Sequence, residues 1–327
     1  MTHFSEDDFI SHLFAPLAGP EGLGLRDDAA VVAPPLGHDL VMTKDALVAG
    51  VHFFADDTPQ DIARKLMRVN LSDLAAKGAD PLGFLLALAI PSHCDDAFWR
   101  AFAQALQEDS VLFSCPLFGG DTVRTQGPLV MTLTAIGVVP HGHHVPRFGA
   151  RAGDRIYVSG TIGDAALGLD VRKGADWTRA CDKEDRAFLL ARYLLPMPRL
   201  HLRRALRAEA NGAMDVSDGF VGDLTKMMRV SGVSARIHLA SVPFSPAVRR
   251  AIQRVPALYD HALTGGDDYE IIAAVQPERA SMFEAEALAA GVQVTCVGEV
   301  VEGHEPPQFV DESGGLHSFA RGSYSHF

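Results

Sequence analysis

Apolar positions recur along this chain with two alternating periods. The run Pro81 to Ile90 is almost wholly apolar, and it reads as a strand, as do Asp39 to Thr43, PLVMTLTAIGVV from Pro128 and RIYVSG from Arg155. Helical spacing marks Glu6 to Leu17, Pro59 to Lys77 and Asp95 to Leu112. In the second half, helical segments near Asp164, Asp185 and His201 precede a short strand at Ala213 to Asp215 and a helix from Asp218. Strands at Ala235 to Leu239, Tyr269 to Val275 and Val292 to Val297 follow, with a helix near Glu278. Strands alternating with helices predict an α/β (α+β) fold in two units. Between the units, Pro140 to Asp154 reads PHGHHVPRFGARAGD, with turn residues in place of a hydrophobic period. The boundary is therefore expected there, giving domains 1–145 and 146–327.

Length agrees with two domains, since 327 residues exceed what one ordinary core holds. A net charge of -12 argues against nucleic acid, whose phosphates need a concentrated basic face. The four cysteines form no Cys-x-x-Cys pair, so neither a zinc site nor a disulfide framework is expected. The acidic start MTHFSEDDFI is unlike a secretory signal, and no apolar run approaches the roughly 18 residues of a membrane span. A cytoplasmic protein with no membrane partner is the expectation.

Phosphate-loop, dinucleotide-fingerprint, protein-kinase and serine-hydrolase motifs are all missing from the sequence. Acids at the ends of elements take their place: Asp27, Asp28, Asp45, Asp73, Asp121, Asp215, Asp218, Asp267, Asp268 and Glu270. Singly, each also fits a helix cap or a turn. Together they suit Mg²⁺, which takes one or two carboxylates and completes its shell with water and phosphate oxygens. Such ions would also resolve a conflict of charge, because bare carboxylates repel polyphosphates.

Context ranks the acids. In KLMRVNLSDLAAKGADP, helical spacing puts Asn70, Asp73 and Lys77 on one face of an otherwise apolar helix, where a carboxylate is costly unless paired or metal-bound. A plain Asp73–Lys77 helix pair is the bland alternative. In VMTKDALVAGVHF, the two-residue period puts Thr43 and Asp45 on one face and Lys44 on the other; His52, further on, is by type more often structural. DDAAVV is expected to present its acids at a strand mouth, and GGDTVRT to turn tightly beside a phosphate. In AMDVSDGFVGDL a strand ends at Asp215, Ser217 shares its face, and Asp218 is placed to cap the next helix. A second glycine turn, TGGDDYEII, brings Asp267, Asp268 and Glu270 to a strand start. The cluster His141 to His144 lacks the partners of a transition-metal site, while Arg147 offers a guanidinium fork for phosphate.

Seven segments in order, DDAAVV, DALVAGVHF, NLSDLAAKGADP, GGDT, MDVSDG, GGDDYE and GSYSHF, resemble the thiamine-monophosphate kinase family. That family belongs with the aminoimidazole ribonucleotide synthetase and selenophosphate synthetase superfamily. The resemblance implies an N-terminal domain that binds ATP and metal and pairs its sheet in a homodimer, and a C-terminal domain that covers the site. It implies Mg²⁺ at Asp28, Thr43, Asp45, Asp73, Asp121, Asp215 and Asp218. ATP is expected at Gly120, Asp121, Arg147 and Ser217, with Phe113 near adenine, and thiamine monophosphate at His52, Glu270 and Tyr324. Two residues depart from the pattern: Lys44 stands for a hydroxyl residue and Arg26 for a glycine. A charged lysine cannot ligate Mg²⁺ but can meet a phosphate directly.

The implied reaction passes the γ-phosphoryl of ATP in line to the phosphate of thiamine monophosphate. That acceptor is already anionic at neutral pH, so no protein base is expected. Another ATP-using synthetase of the superfamily and a non-catalytic nucleotide sensor are the alternatives. Selenophosphate synthetase fits poorly, because the first cysteine is Cys94.

Overall fold

A computed structural model describes residues 5–320, with the backbone alone for Glu6 and Asp7. Tyr324 and the whole of GSYSHF lie outside the described residues. The chain divides into two compact units, Met1–Leu74 with Ala79–Gly142, and Ala75–Gly78 with His143–Phe327.

The first unit opens with helix α1 (Glu6–Phe9), continued by a π turn (Ile10–Phe14) and a 3-10 turn (Ala15–Leu17). Strand β1 (His38–Val48) leads to helix α2 (Pro59–Ala76) and strand β2 (Asp80–Ile90). Helix α3 (Asp96–Leu112) and strands β3 (Leu117–Arg124) and β4 (Val130–Pro140) complete it. Polar caps set the helix starts. The Thr58 hydroxyl accepts from the Asp61 N–H at 3.1 Å, and Asp95 accepts from the Phe98 N–H at 2.9 Å. Once started, α2 is driven by burial, since Leu66, Met67, Leu71 and Leu74 are all at 0% exposure. The sheet order is β1-β4-β2-β3, parallel only between β2 and β3.

Two local expectations change here. Residues 26–37 form no strand, and Val31 is exposed, so DDAAVV is loop; the following Pro34 and Pro35 lack the N–H groups a ladder needs. The Gly-Gly-Asp of the first unit lies inside β3, not in a turn, paired along β2 from Leu85↔Gly119 onward. A Cβ at Gly120 would lie 1.8 Å from the Leu86 carbonyl oxygen, so the neighbouring strand's approach already requires this glycine.

The second unit begins with strand β5 (Arg155–Ser159), then helices α4 (Asp164–Lys173), α5 (Lys183–Leu194) and α6 (Arg203–Glu209). Next come β6 (Ala210–Asp215), α7 (Phe220–Ser231), β7 (Ser234–His238), α8 (Pro246–Arg254) and α9 (Leu258–Thr264). Strand β8 (Ile271–Val275), helix α10 (Ala280–Ala289), and strands β9 (Val294–Val301), β10 (Gln308–Val310) and β11 (Leu316–His317) follow. The sheet runs β11-β10-β7-β9-β5-β8-β6, and Val158, Phe220, Ile237, Ile272 and Val297 build its core. Every residue of β8 is buried, as a strand in the sheet interior should be. Among the described residues no helix is long and apolar enough to cross a membrane.

Candidate active site

In the first unit, strand β1 and helix α2 bring the side chains of Thr43, Asn70 and Asp73 and the backbone of Asp45 together. The Thr43 hydroxyl donates to Asp73 Oδ2 at 2.5 Å, and Asn70 Oδ1 accepts the Asp45 backbone N–H at 3.0 Å. Asn70 is fully buried, and its amide also donates to the Leu66 carbonyl at 2.9 Å. It therefore acts as a peg between helix and strand. The expected shared face of Asn70 and Asp73 is real, and it meets the face of β1 that carries Thr43 and Asp45. Lys77 falls beyond the end of α2, and its ammonium donates to the Ala213 carbonyl at 2.6 Å.

Lys44 projects to the opposite, exposed face of β1. Register places Asp121 on that same side. It is level with Ala87, Thr132 and Ala46, whereas Asp45 is level with Leu133, Leu86 and Gly120. Asp28 is exposed in its loop, its N–H donating to Asp27 Oδ1 at 2.7 Å. Neither Asp28 nor Asp121 joins the Thr43–Asp73 pair. His52 accepts the Val48 N–H at Nδ1 (3.0 Å), which leaves any neutral-ring proton on Nε2. Phe113 ends α3, and the Arg68 guanidinium stands 5.7 Å from its ring centroid. Arg68 is in turn held by buried Asp109 through bonds of 2.6 and 2.9 Å.

In the second unit, Asp215 ends β6 and is buried, while Ser217 and Asp218 follow in a half-buried turn. Asp218 does not cap α7. The N-cap is Gly219, and the Asp223 carboxylate reaches back to the Asp218 N–H at 2.8 Å. Lys226 then donates to Asp223 Oδ1 at 2.9 Å and to Asp218 Oδ2. Burial pushes the Asp223 carboxyl above its ordinary range. Burial alone would lower Lys226, but its two carboxylate partners outweigh that and hold it above the usual lysine value. Arg147 is exposed in the loop after residue 140.

Asp268 and Glu270 are both buried, at 1% and 0% exposure. Asp268 accepts the Gly163 and Ala165 N–H groups at 2.7 and 3.0 Å, at the start of α4. Burial, then the nearby Asp164 charge, push its carboxyl well up despite those two donors. Glu270 is gripped by Arg192, Arg199 and Ser159.

The donors available are hard oxygens: carboxylates and a threonine hydroxyl. Among the described residues no three His, Cys, Asp or Glu side chains converge as an all-protein cage. Hard oxygen donors of this kind fit Mg²⁺, which takes one or two carboxylates at a time and completes its shell with water and phosphate oxygens. They do not fit a zinc site, which is filled by His and Cys.

The N-terminal domain model of the AIR synthase related proteins matches residues 26–139, and the C-terminal domain model matches 151–308. A thiamine-monophosphate kinase of Caulobacter vibrioides is 46% identical over 304 residues, covering 91% of this chain and 85% of that protein. The Escherichia coli K12 thiamine-monophosphate kinase is 40% identical over 305 residues, covering 93% and 92%. The chain belongs to the thiamine-monophosphate kinase family. Two solved structures of this family agree. The Stenotrophomonas maltophilia K279a enzyme superposes with TM-score 0.80 at 37% identity, covering 90% of this chain and 91% of that one. A complex of AaThiL with AMPPCP and TMP gives 0.79 at 26%, covering 98% and 97%. The hydrogenase maturation protein HypE of E. coli shares the fold alone, with TM-score 0.77 at 20% identity.

Within this thiamine-monophosphate kinase family member, three supporting groups have partners that local sequence does not reveal. The Asp223–Lys226 spacing is a readable helix pair, but its attachment to Asp218 is not. Arg192 and Arg199 lie 78 and 71 residues from Glu270, and no local pattern links them. Asn70 shows as a polar residue on an apolar helix, without a sign that its partner is a strand backbone.

Proposed function

We propose that this enzyme transfers the γ-phosphoryl group of ATP directly to the phosphate of thiamine monophosphate. The bond from Pγ to the β–γ bridging oxygen breaks, a bond from Pγ to an acceptor phosphate oxygen forms, and ADP and thiamine diphosphate leave. The observation that carries this reading is the likeness to a thiamine-monophosphate kinase over 91% of the chain, together with a relative solved with AMPPCP and TMP.

Mg²⁺ ions, when bound, supply charge neutralisation for the crowded phosphates. Asp73, Asp45 and Thr43 of the first unit and Asp215 and Asp218 of the second are groups that would hold them, and Asp28 and Asp121, which stand apart from the Thr43–Asp73 pair, would hold ions separately. Thr43 orients Asp73, and Asn70 fixes the backbone under Asp45. Gly120, Asp121, Arg147 and Ser217 bind ATP, with Phe113 beside the adenine. Arg68 presets the Phe113 ring by standing over it. His52 contacts thiamine monophosphate, and Tyr324 takes the matching role outside the described residues. No protein base is assigned, because a phosphate monoester with its second ionisation near pH 6 is already the nucleophile.

The N-terminal domain is also the dimerisation domain on this reading. The sheet face opposite α2 exposes Leu40, Met42 and Leu85, and a second copy would cover them. A reducing cytoplasm suits the four free thiols.

Incubation with ATP, Mg²⁺ and thiamine monophosphate tests the reaction. Thiamine diphosphate and ADP should form in equal amounts, while free thiamine should be inert because its hydroxyl needs a base. ATP binding without product would replace the kinase by a nucleotide sensor.

A further inference from the structure

The loop from Gly265 to Glu270 carries unusual backbone. Asp267 and Tyr269 take φ values of 72° and 51°, a left-handed region that L residues other than glycine rarely enter. Strain of this kind persists only where the surroundings fix it, and it concentrates at functional sites. Here the two strained residues alternate with two buried carboxylates that act as anchors. Asp268 is tied to the first turn of α4 by two backbone N–H groups.

Glu270 is tied more completely. Its Oε1 accepts from Arg192 Nη2 at 2.8 Å and from Arg199 Nη2. Its Oε2 accepts from Arg199 Nε and from Ser159 Oγ, both at 2.6 Å. Four donors fill the roughly four lone-pair sites that a carboxylate has. With 0% exposure and no acceptor site left, this side chain is badly placed to receive a substrate.

What the loop does hold is the turn after Asp215. The Asp267 N–H donates to the Ser217 carbonyl at 2.9 Å, the Tyr269 N–H to the Val216 carbonyl at 2.8 Å, and the Val216 N–H to the Glu270 carbonyl at 2.8 Å. Packing is equally close, since a Cβ at Gly266 would lie 2.4 Å from the Ser217 carbonyl oxygen. Both strained residues thus spend their N–H groups on the turn that carries Ser217 and Asp218.

We propose that Glu270 is a positioning residue. Locked by Arg192 and Arg199, it latches the strained loop, and the loop holds Asp215, Ser217 and Asp218 in one geometry. The proposal rests on the metal and nucleotide roles assigned above to that turn, and it stands in place of the substrate contact that family likeness gives Glu270. Arg192 and Arg199 are then required for metal binding through their grip on Glu270.

The test compares Glu270→Gln and Arg199→Lys with the wild type. Arg199→Lys keeps the charge but loses the two-pronged grip, and it covers the case in which Glu270→Gln fails to fold. Hydrogen–deuterium exchange is read on residues 265–270 and on β8, and Mn²⁺ binding by electron paramagnetic resonance, both without substrate. KM for thiamine monophosphate and the Mg²⁺ requirement are read in turnover. The latch predicts faster exchange at 265–270 with β8 still protected. It also predicts Mn²⁺ affinity and Mg²⁺ requirement worse by about 10- to 100-fold, with KM for thiamine monophosphate unchanged. A raised KM for thiamine monophosphate, with loop exchange and Mn²⁺ binding as in the wild type, makes Glu270 a substrate contact and overturns the proposal. Wild-type loop exchange and Mn²⁺ binding in Arg199→Lys also overturns it. If the wild type makes no thiamine diphosphate, the kinase reading fails, and the exchange and Mn²⁺ arms still decide the latch.

Discussion

Thr43 and Asp73 meet through a hydroxyl-to-carboxylate hydrogen bond of 2.5 Å that joins strand β1 to helix α2. The bond spends one acceptor site of Asp73, and on the proposed reading the other oxygen takes a cation. Replacing Thr43 by Val keeps the shape and removes the donor. Turnover should fall about 10- to 100-fold, as for other groups that orient a metal ligand, while Thr43→Ser retains it. Asp73→Asn should abolish turnover with the fold intact by circular dichroism. Near-normal ADP release from Asp73→Asn would remove this residue from the metal set.

Lys226 sits between Asp218 and the buried Asp223. Lys226→Met strands the buried Asp223 carboxylate on its bond from the Asp218 N–H. Because Lys226 is itself about a third exposed, solvent softens the loss, and about 1–3 kcal/mol of stability is expected to go. Urea unfolding measures it, and the double variant with Asp223→Asn should recover part of the difference. An unchanged midpoint in Lys226→Met would show that the pair contributes nothing.

The Arg68–Asp109 pair is more deeply buried, with side-chain exposures of 10% and 3%. Removing the guanidinium in Arg68→Met takes two hydrogen bonds from a buried carboxylate and leaves Arg64, 3.9 Å away, as its nearby cation, so about 3 kcal/mol is expected to go. The same change frees the ring of Phe113. KM for ATP should therefore rise while KM for thiamine monophosphate stays, and a thermal melt with two substrate titrations checks both parts. Equal effects on both substrates would argue for general loosening.

His261 gives a pH signature. Its Nε2 lies 3.4 Å from Asp170 Oδ2, and that carboxylate raises the imidazole pKa above its ordinary value. Burial alone would raise Asp170, but His261 and the Trp177 indole N–H outweigh it and lower that carboxyl. A raised histidine contributes stability fully below its unfolded value near 6.5, and loses it as pH climbs through the folded value. The lowered Asp170 contributes above its unfolded value near 4 and loses its part as pH falls through the folded one. The melting-temperature gap between wild type and His261→Gln should thus be widest between about pH 5 and 6.5 and shrink toward pH 9. A gap that is flat across this range would show the pair to be uncharged packing.

Much of this architecture is legible from local pattern. The apolar period placed α2, α3 and β2 within a residue or two of their ends, because burial of one helix face or one strand is a short-range property of sequence. The alternation of Thr43, Lys44 and Asp45 follows from strand geometry and needs no tertiary information. Expectations failed where a neighbouring element overrides the local signal. Gly119 to Asp121 looks like a turn, yet β2 recruits it as a parallel strand. Asp218 looks like a cap, yet Asp223 and Lys226 claim its backbone and side chain. DDAAVV looks like a strand start, yet no partner strand takes it and the prolines beyond cannot pair.

By itself, the sequence determined the family, the two α/β units and the order of the carboxylates, since each depends on residue identity and on periods of two or of 3.6 residues. Tertiary structure alone decided which carboxylates are free to work and which are already spoken for. Asp73 keeps an oxygen beyond its bond to Thr43, whereas Glu270, of the same charge and equally prominent in the chain, is enclosed by two arginines from distant segments. The reason is physical: the solvation and pairing of a charge are set by whatever the fold packs around it, and those groups come from positions that no local period connects.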